Sequence, residues 1–556
     1  MIRLENGKIH DPFQSDSGAT KTLWIDGDRI VTEPSHALHP AESFDCRDCV
    51  IMAGGIDAHT HIGGGKVNIA RLMLPSASQR ETEMLETLNQ AGTATRPIVP
   101  STIQTGRMYL ELGYTACFEP AVIPCGAKHA HCELGDTPFL DTGAYLMLGN
   151  ESTLLEMIHR RVGNDMIRDY VAWMLMAHRC LAVKVVNPAG VHAFQDGTFL
   201  STMDDPDPRY GVTGRQVLFQ LAQAVDQLGI PHPIHVHCAN LGVPGNIETT
   251  LQTIDAVEGH RIHLTHSQFH CYSNQGPHGI SSAAERLADA INNRPEISTD
   301  VGQVLFGQTV TLSGDLAHQW HNRTHARPRK TFFQNLESQG GCGVVPFRYR
   351  EGQYVHSLQW SIGLELFLRI KNPWQVFLTT DHPNGAPFTS YPHLIRLLMD
   401  YRFRMECFSK LHPDVQATSP LPTLKREYTL DEIAIMTRSG PARSLGLDDV
   451  GRLVPGSIAD LCVYRQHENP EQMFSKPWLV IKQGQVVFQQ GHYLRTGLRR
   501  SYQLDVEYDR QILQQLRRNW ETRYQQTLHA SSISSGEWER ISQATPVPIR
   551  SREVLS

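Results

Sequence analysis

From about residue 51 to 445 the chain alternates apolar, strand-like runs with longer helix-like stretches, and this alternation limits its fold more than any other feature. VIMAGGID, LAVKVV, HPIHVHC, RIHLTH, EISTDVG and QVFLTT read as strands, and ETEMLETLNQAG and GRQVLFQLAQAVDQLG as helices. Repeated β/α units build a parallel sheet, and there are enough here to close an eight-stranded barrel. The two ends differ. IRLENGKI and TLWIDGDRIV, with its Asp-Gly turn signal, come before the alternation, and GSIADLCVY and WLVIKQGQVVFQQG come after it. The sequence therefore predicts an α/β protein: a TIM-like (β/α)8 barrel over residues 51–445, with a small β-sandwich domain assembled from residues 1–50 and 446–495. Residues 496–556 make a helical and extended tail. Ile512, Leu513, Leu516, Trp520 and Tyr524 share one helical face there, which is expected to meet a partner subunit, with folding back onto the barrel as the alternative.

Composition excludes several classes. With 51 basic and 57 acidic side chains in 556 residues the formal charge is −6, which leaves no cationic surplus to displace counterions from nucleic acid. The most apolar window, 171–186, is broken by His178, Arg179 and Lys184 and is too short to span a bilayer. No secretory signal is visible at the start, and eleven scattered Cys fit a reducing cytosol, so a cytoplasmic protein is expected. Cys46 and Cys49 form one Cys-x-x-Cys and read as packed thiols. The unusual count is 28 His, about double ordinary usage, which points to a metal.

The positions of those histidines matter more than their number. His59 and His61 directly follow the strand VIMAGGID, and alternate residues of an extended segment reach the same side. His237 ends PIHVHC, His266 ends RIHLTH and Asp381 follows QVFLTT. Each falls at the C-terminal end of a barrel strand, where barrel active sites are built. His235 shares a strand face with His237 and is the alternative ligand there; His237 is preferred because it is nearer the strand end. Lys184 lies inside the apolar strand LAVKVV, where a charge is costly unless paired or removed. As a carbamate it becomes an anion with two oxygens that can bridge two cations. Imidazole and carboxylate ligands with open positions suit catalytic zinc. Two ions sharing a water lower its pKa towards about 7. Asp381 could then ligate, accept the water's proton and deliver it to a leaving nitrogen.

With these residues in place, GGIDAHTH, the strand lysine, the two later histidines and the final Asp resemble the amidohydrolase superfamily, as does SGPARSLGL followed by GSIADL. Longer blocks narrow the likeness: GGIDAHTHIGGGKVNIAR (54–71), VKVVNPAGV (183–191), IHVHCANLGVPGN (234–246), HLTHSQFHCYS (263–273), DVGQVLFGQTVT (300–311) and TTDHPNGAPFTSYP (379–392). These resemble the A-type subunits of formylmethanofuran dehydrogenases and of bacterial formyltransferase/hydrolase complexes. The resemblance implies a barrel of the amidohydrolase type holding two Zn2+ bridged by N6-carboxylated Lys184. His59, His61 and Asp381 would complete one site, and His237 and His266 the other. It also implies hydrolysis of, or condensation to, the N-formyl amide of a furan-type one-carbon carrier, methanofuran or methylofuran, within a complex of several subunits. The abundance of Gln (34) and the modest charged fraction of 19% favour a mesophilic bacterial setting, and hence hydrolysis to formate.

Candidates for substrate contact are less specific. Lys66, Asn68 and Arg71 follow the His pair and could meet an acidic carrier tail, with a solvated loop as the alternative. Asn240 and Asn274 lie just past ligand strands and could orient the formyl group or cap turns. His129 and His131 form a further His-x-His, for which a structural role is favoured over cavity lining. Gly63–Gly65 with Lys66 lacks the spacing of a phosphate loop. Two other functions fit the same residues: a cyclic amidase of the dihydroorotase or hydantoinase kind, and a non-catalytic scaffold subunit.

Overall fold

The computed structural model describes residues 1–34, 40–74, 101–190, 193, 196, 198–313, 320–328, 343–494, 498–525, 527, 528, 530 and 532–552. The helix predicted over ETEMLETLNQAG lies outside these, as do the side chains of Lys66 and Tyr524.

Eight parallel strands curl into the central barrel: β1 Gly55–Asp57, β2 Tyr114–Val122, β3 Asp141–Leu148, β4 Ala182–Val186, β5 Ile234–His237, β6 Ile262–Leu264, β7 Ile297–Asp300 and β8 Val376–Phe377. Each pairs in parallel with the next. The first and last meet just beyond their ends, where the His61 amide donates to the His382 carbonyl at 2.9 Å and Thr379 Oγ1 to the His59 carbonyl at 2.9 Å. Helices between strands cover the outside, as parallel sheets require. Gly214–Gln227 shows the local logic. Thr213 caps it through a capping box with Gln216, and Val217, Leu218, Leu221 and Val225 face the barrel.

The two chain ends form one continuous nine-stranded sheet. Cys49–Ala53, which leads into β1, pairs antiparallel with Leu461–Arg465, which follows the barrel. Leu4, Ile51, Leu461 and Ile481 are among its buried core.

The tail folds back onto the barrel. Arg500–Asp505 runs beside β3, and Trp520, on the helix Ile512–Tyr524, meets Trp173 edge-on at 5.3 Å. The apolar face predicted to meet a partner is thus covered within the chain: Ile512, Leu516 and Trp520 are buried in the main core. A buried ion cluster ties tail, barrel and terminal sheet together. Lys482 Nζ lies 2.8 Å from Asp141 and 2.7 Å from Asp460, and Arg500 contacts the same two carboxylates at 2.7 and 2.8 Å. Among the described residues no helix is long and apolar enough to cross a membrane.

Candidate metal centre

The strand ends bring the predicted residues into one buried space. His59 Nε2 and His61 Nε2 lie 3.1 and 3.3 Å from Asp381 Oδ1. His237 and His266 face each other with ring centroids 4.6 Å apart, and His266 is 5.7 Å from His59. His266 and Asp381 both adopt left-handed backbone, at φ 34° and 51°, a conformation that L-residues hold only where their surroundings enforce it. Gly302 explains part of the enforcement. A Cβ there would sit 2.4 Å from the His266 Cβ, so only glycine lets the β6 and β7 ends approach.

Lys184 is buried in β4, its Nζ donating to Thr265 Oγ1 at 3.3 Å. Burial lowers its pKa to about 8, partly offset by Asp300 and Asp381. Its charge in turn disfavours protons on His237 and His266, while Asp381 of the other half acts on Lys184 itself, so the lysine communicates with each half of the cluster. His235 lies one layer deeper than His237. Its ring contacts His232 at 2.9 Å and His59 Nδ1 at 3.3 Å, away from the His237 side.

The two halves differ electrostatically. Burial works against charge on His61, but Glu119 and Asp381 outweigh it and raise its pKa to about 9. The same balance, with Asp300 and Asp381, raises His59. In the other half burial dominates: His266 falls to about 3 and His237 well below its ordinary value. A negative field on one side and neutral imidazoles on the other are both suited to cations.

The donor set passes a test of fit. His59 Nε2, His237 Nε2, His266 Nδ1 and Asp381 Oδ1 are buried without hydrogen-bond partners of good geometry. Leaving four such atoms unsatisfied costs several kcal/mol, roughly 1–3 each, unless a cation takes their lone pairs. Among the described residues three groups could hold an ion: His59, His61 and Asp381; His237, His266 and His270; and His59, His235 and Asp300.

Three residues here were not anticipated from the sequence. Asp300 ends β7 and accepts from His59 Nδ1 at 2.8 Å, and Glu119 on β2 holds His61 Nδ1 at 3.0 Å. An acid closing EISTD, like Asp381 after QVFLTT, and a charge within an apolar strand, like Lys184, were the available signals. The third, His270, stands four residues beyond His266 on the short helix Ser267–His270.

The substrate-contact candidates scatter. Arg71 is buried and donates to Glu133 at 2.9 Å, to the Ile62 carbonyl at 2.6 Å and to Asn68. Asn240 is half-buried, and Asn274 is exposed with its Oδ1 accepting from Gln275. His131 packs edge-on against Trp538 at 4.7 Å, and burial lowers its pKa to about 4. A different basic surface lies beside a hairpin tied to the loop after β8. The hairpin of Gly307–Ser313 and Gly343–Tyr349 leans over the barrel, Tyr349 Oη donating to the Asn384 carbonyl at 3.1 Å. Beside it is a cavity of about 820 Å³ lined by Arg327, Arg348, Arg350 and His356, among others. Among the described residues no carboxylate pairs with Arg348 or Arg350.

A barrel with imidazole, carboxylate and lysine donors at its C-terminal strand ends defines a metal-dependent hydrolase. The sequence profile of the amidohydrolase family matches residues 42–488, and the chain belongs to that family. It is 41% identical over 514 residues to the A-type subunit of the formyltransferase/hydrolase complex Fhc of Methylorubrum extorquens, covering 92% of each chain. It is 35% identical over 534 residues to protein FwdA of Methanocaldococcus jannaschii, again covering 92% of each. Among solved structures it superposes on the crystal structure of the M. extorquens formyltransferase/hydrolase complex with methylofuran. That TM-score is 0.87 at 38% identity, covering 99% of this chain and 100% of the other.

Proposed function

We propose that this chain is the deformylating subunit of a formyltransferase/hydrolase complex. It hydrolyses the N-formyl amide of a furan-type carrier such as methylofuran to formate and free carrier. The observation that carries this reading is the likeness to the Fhc chain of M. extorquens, 41% identical over 92% of this chain and superposing over 99% of it. In this reading His59, His61 and Asp381 would hold one Zn2+, His237 and His266 would hold a second, and Lys184, once carboxylated, would serve both. The depressed pKa of Lys184 supports carboxylation, because only the neutral amine adds to carbon dioxide. Bound zinc supplies polarisation of the formyl oxygen and a water acidified towards about pKa 7.

The chain's own groups do the rest. Asp381, held with its carboxylate against His59 and His61, accepts the proton of the attacking water. It then delivers that proton to the carrier nitrogen as the C–N bond breaks and the new C–O bond completes formate. Asp300 and Glu119 hold the outer nitrogens of His59 and His61, fixing which nitrogen faces the cluster. Arg348 and Arg350 of the cavity suit the acidic tail of the carrier better than Arg71, which is already committed to Glu133.

The test is turnover by the zinc-loaded protein, with its co-purifying subunits, of an N-formyl furfurylamine carrier alongside a hydantoin and dihydroorotate. Formate from the first alone is expected. Ring opening of either cyclic amide would replace this reading with a cyclic amidase. Full assembly with no turnover, unchanged by metal removal, would make the chain a scaffold.

A further inference from the structure

We infer that His270 is a third imidazole ligand of the cation held by His237 and His266, an inference that rests on the two-metal reading above. His270 ends the short helix Ser267–His270, which packs under the long helix Tyr354–Arg369. Its side chain is fully buried, and neither ring nitrogen has a hydrogen-bond partner of good geometry. A buried imidazole with both nitrogens idle is costly, and nothing in its packing explains why a histidine stands there rather than an apolar residue.

The geometry explains it. Three imidazoles bound about 2.0–2.1 Å from one tetrahedral ion, each pointing a nitrogen at it, have centroids about 5.2 Å apart. The observed centroid separations are 4.6 Å for His237–His266, 5.0 Å for His237–His270 and 5.1 Å for His266–His270. One ligand nitrogen from each ring lies within 4.8 Å of the other two, so small rotations of the rings converge them. With the Lys184 carbamate, three imidazoles would give the second ion four protein donors, and a water shared with the first ion would make it five-coordinate. The second ion is then held more by neutral nitrogen donors than the first, which has a carboxylate.

The test is a zinc-loaded crystal structure with anomalous diffraction at the zinc edge, together with zinc titration of His270→Ala and His270→Gln. The expected result is a His270 nitrogen about 2.0–2.2 Å from the second zinc, and a loss of at least about tenfold in affinity for that ion alone. Two zincs with His270 beyond bonding distance, or variants that bind both ions as the wild type does, would overturn the inference. Wild-type protein that binds no zinc would instead overturn the two-metal reading. The diffraction experiment needs no variant, so misfolding of His270→Ala would not obscure the answer.

Discussion

Asp300 Oδ2 lies 2.8 Å from His59 Nδ1, while Nε2 of the same ring faces Asp381 Oδ1 at 3.1 Å. The buried carboxylate on β7 thus fixes the tautomer of a ring on the segment that follows β1, and with it the direction of the ring's remaining lone pair. His263 Nε2 approaches the same Asp300 oxygen at 3.2 Å, and Asp300 Oδ1 accepts from the His266 amide at 2.7 Å. Asp300→Asn is expected to weaken the ion at His59 and His61 by about 10–100-fold while leaving the fold intact. Zinc titration followed by circular dichroism checks this, and unchanged affinity would mean the contact does not orient His59.

Assembly of the centre should depend on pH through Lys184. With a pKa of about 8, this lysine is roughly 10% neutral at pH 7 and 90% neutral at pH 9, and only the neutral form becomes a carbamate. At fixed dissolved carbon dioxide, reconstitution of the apoprotein with zinc should accelerate about tenfold between those values. The rate should rise, not fall, with pH. Lys184→Ala should bind at most one zinc per chain, and retention of two would remove the bridging role.

Asp381→Asn separates binding from proton transfer. The amide oxygen can still face His59 and His61 but cannot take a proton at neutral pH. Zinc content near the wild-type value is expected, with turnover lower by about 100-fold or more. Near-normal formate release would take the proton-transfer role away from Asp381.

The ion cluster of Lys482, Asp141, Asp460 and Arg500 predicts where the molecule comes apart. All four are buried, and removing one leaves a charge uncompensated. Lys482→Met should cost about 3–5 kcal/mol. Limited proteolysis of the variant should release the tail from residue 496 onward before the barrel is cut, and simultaneous loss of both would show that the cluster does not join separable parts.

Arg348→Ala with Arg350→Ala should raise KM for a carrier bearing an acidic tail and leave kcat unchanged. For truncated N-formyl furfurylamine neither constant should move, and the difference should shrink as salt is raised. Equal effects on both substrates would place the arginines in the fold rather than in recognition.

The barrel and the buried cluster at its strand ends were legible because two simple patterns coincide. Apolar runs of strand length recur between helices, and a side chain of the metal-ligand type follows run after run, as at His237, His266 and Asp381. Lys184 stood out because a charge in an apolar strand demands a reason. His270 did not, because the short helix Ser267–His270 has no strand periodicity to place it. Asp300 looked like an ordinary strand terminus until β1 and β7 came together around His59. The tail shows another limit: the periodicity of Ile512, Leu516 and Trp520 reveals that something covers this face, but not that Trp173 of the same chain does so. Arg71 was drawn towards the substrate by its place after the His pair, whereas Glu133, far away in sequence, holds it.

If two zincs in this barrel cleave an N-formyl amide, activity must follow metal content. The most direct measurement is formate release from N-formyl methylofuran as zinc is returned to the apoprotein in its complex, with zinc per chain determined on the same samples by elemental analysis. Activity that rises and then levels at about two zincs per chain is the predicted result. Full activity in the metal-free protein, or two bound zincs with no formate from this carrier, would contradict it.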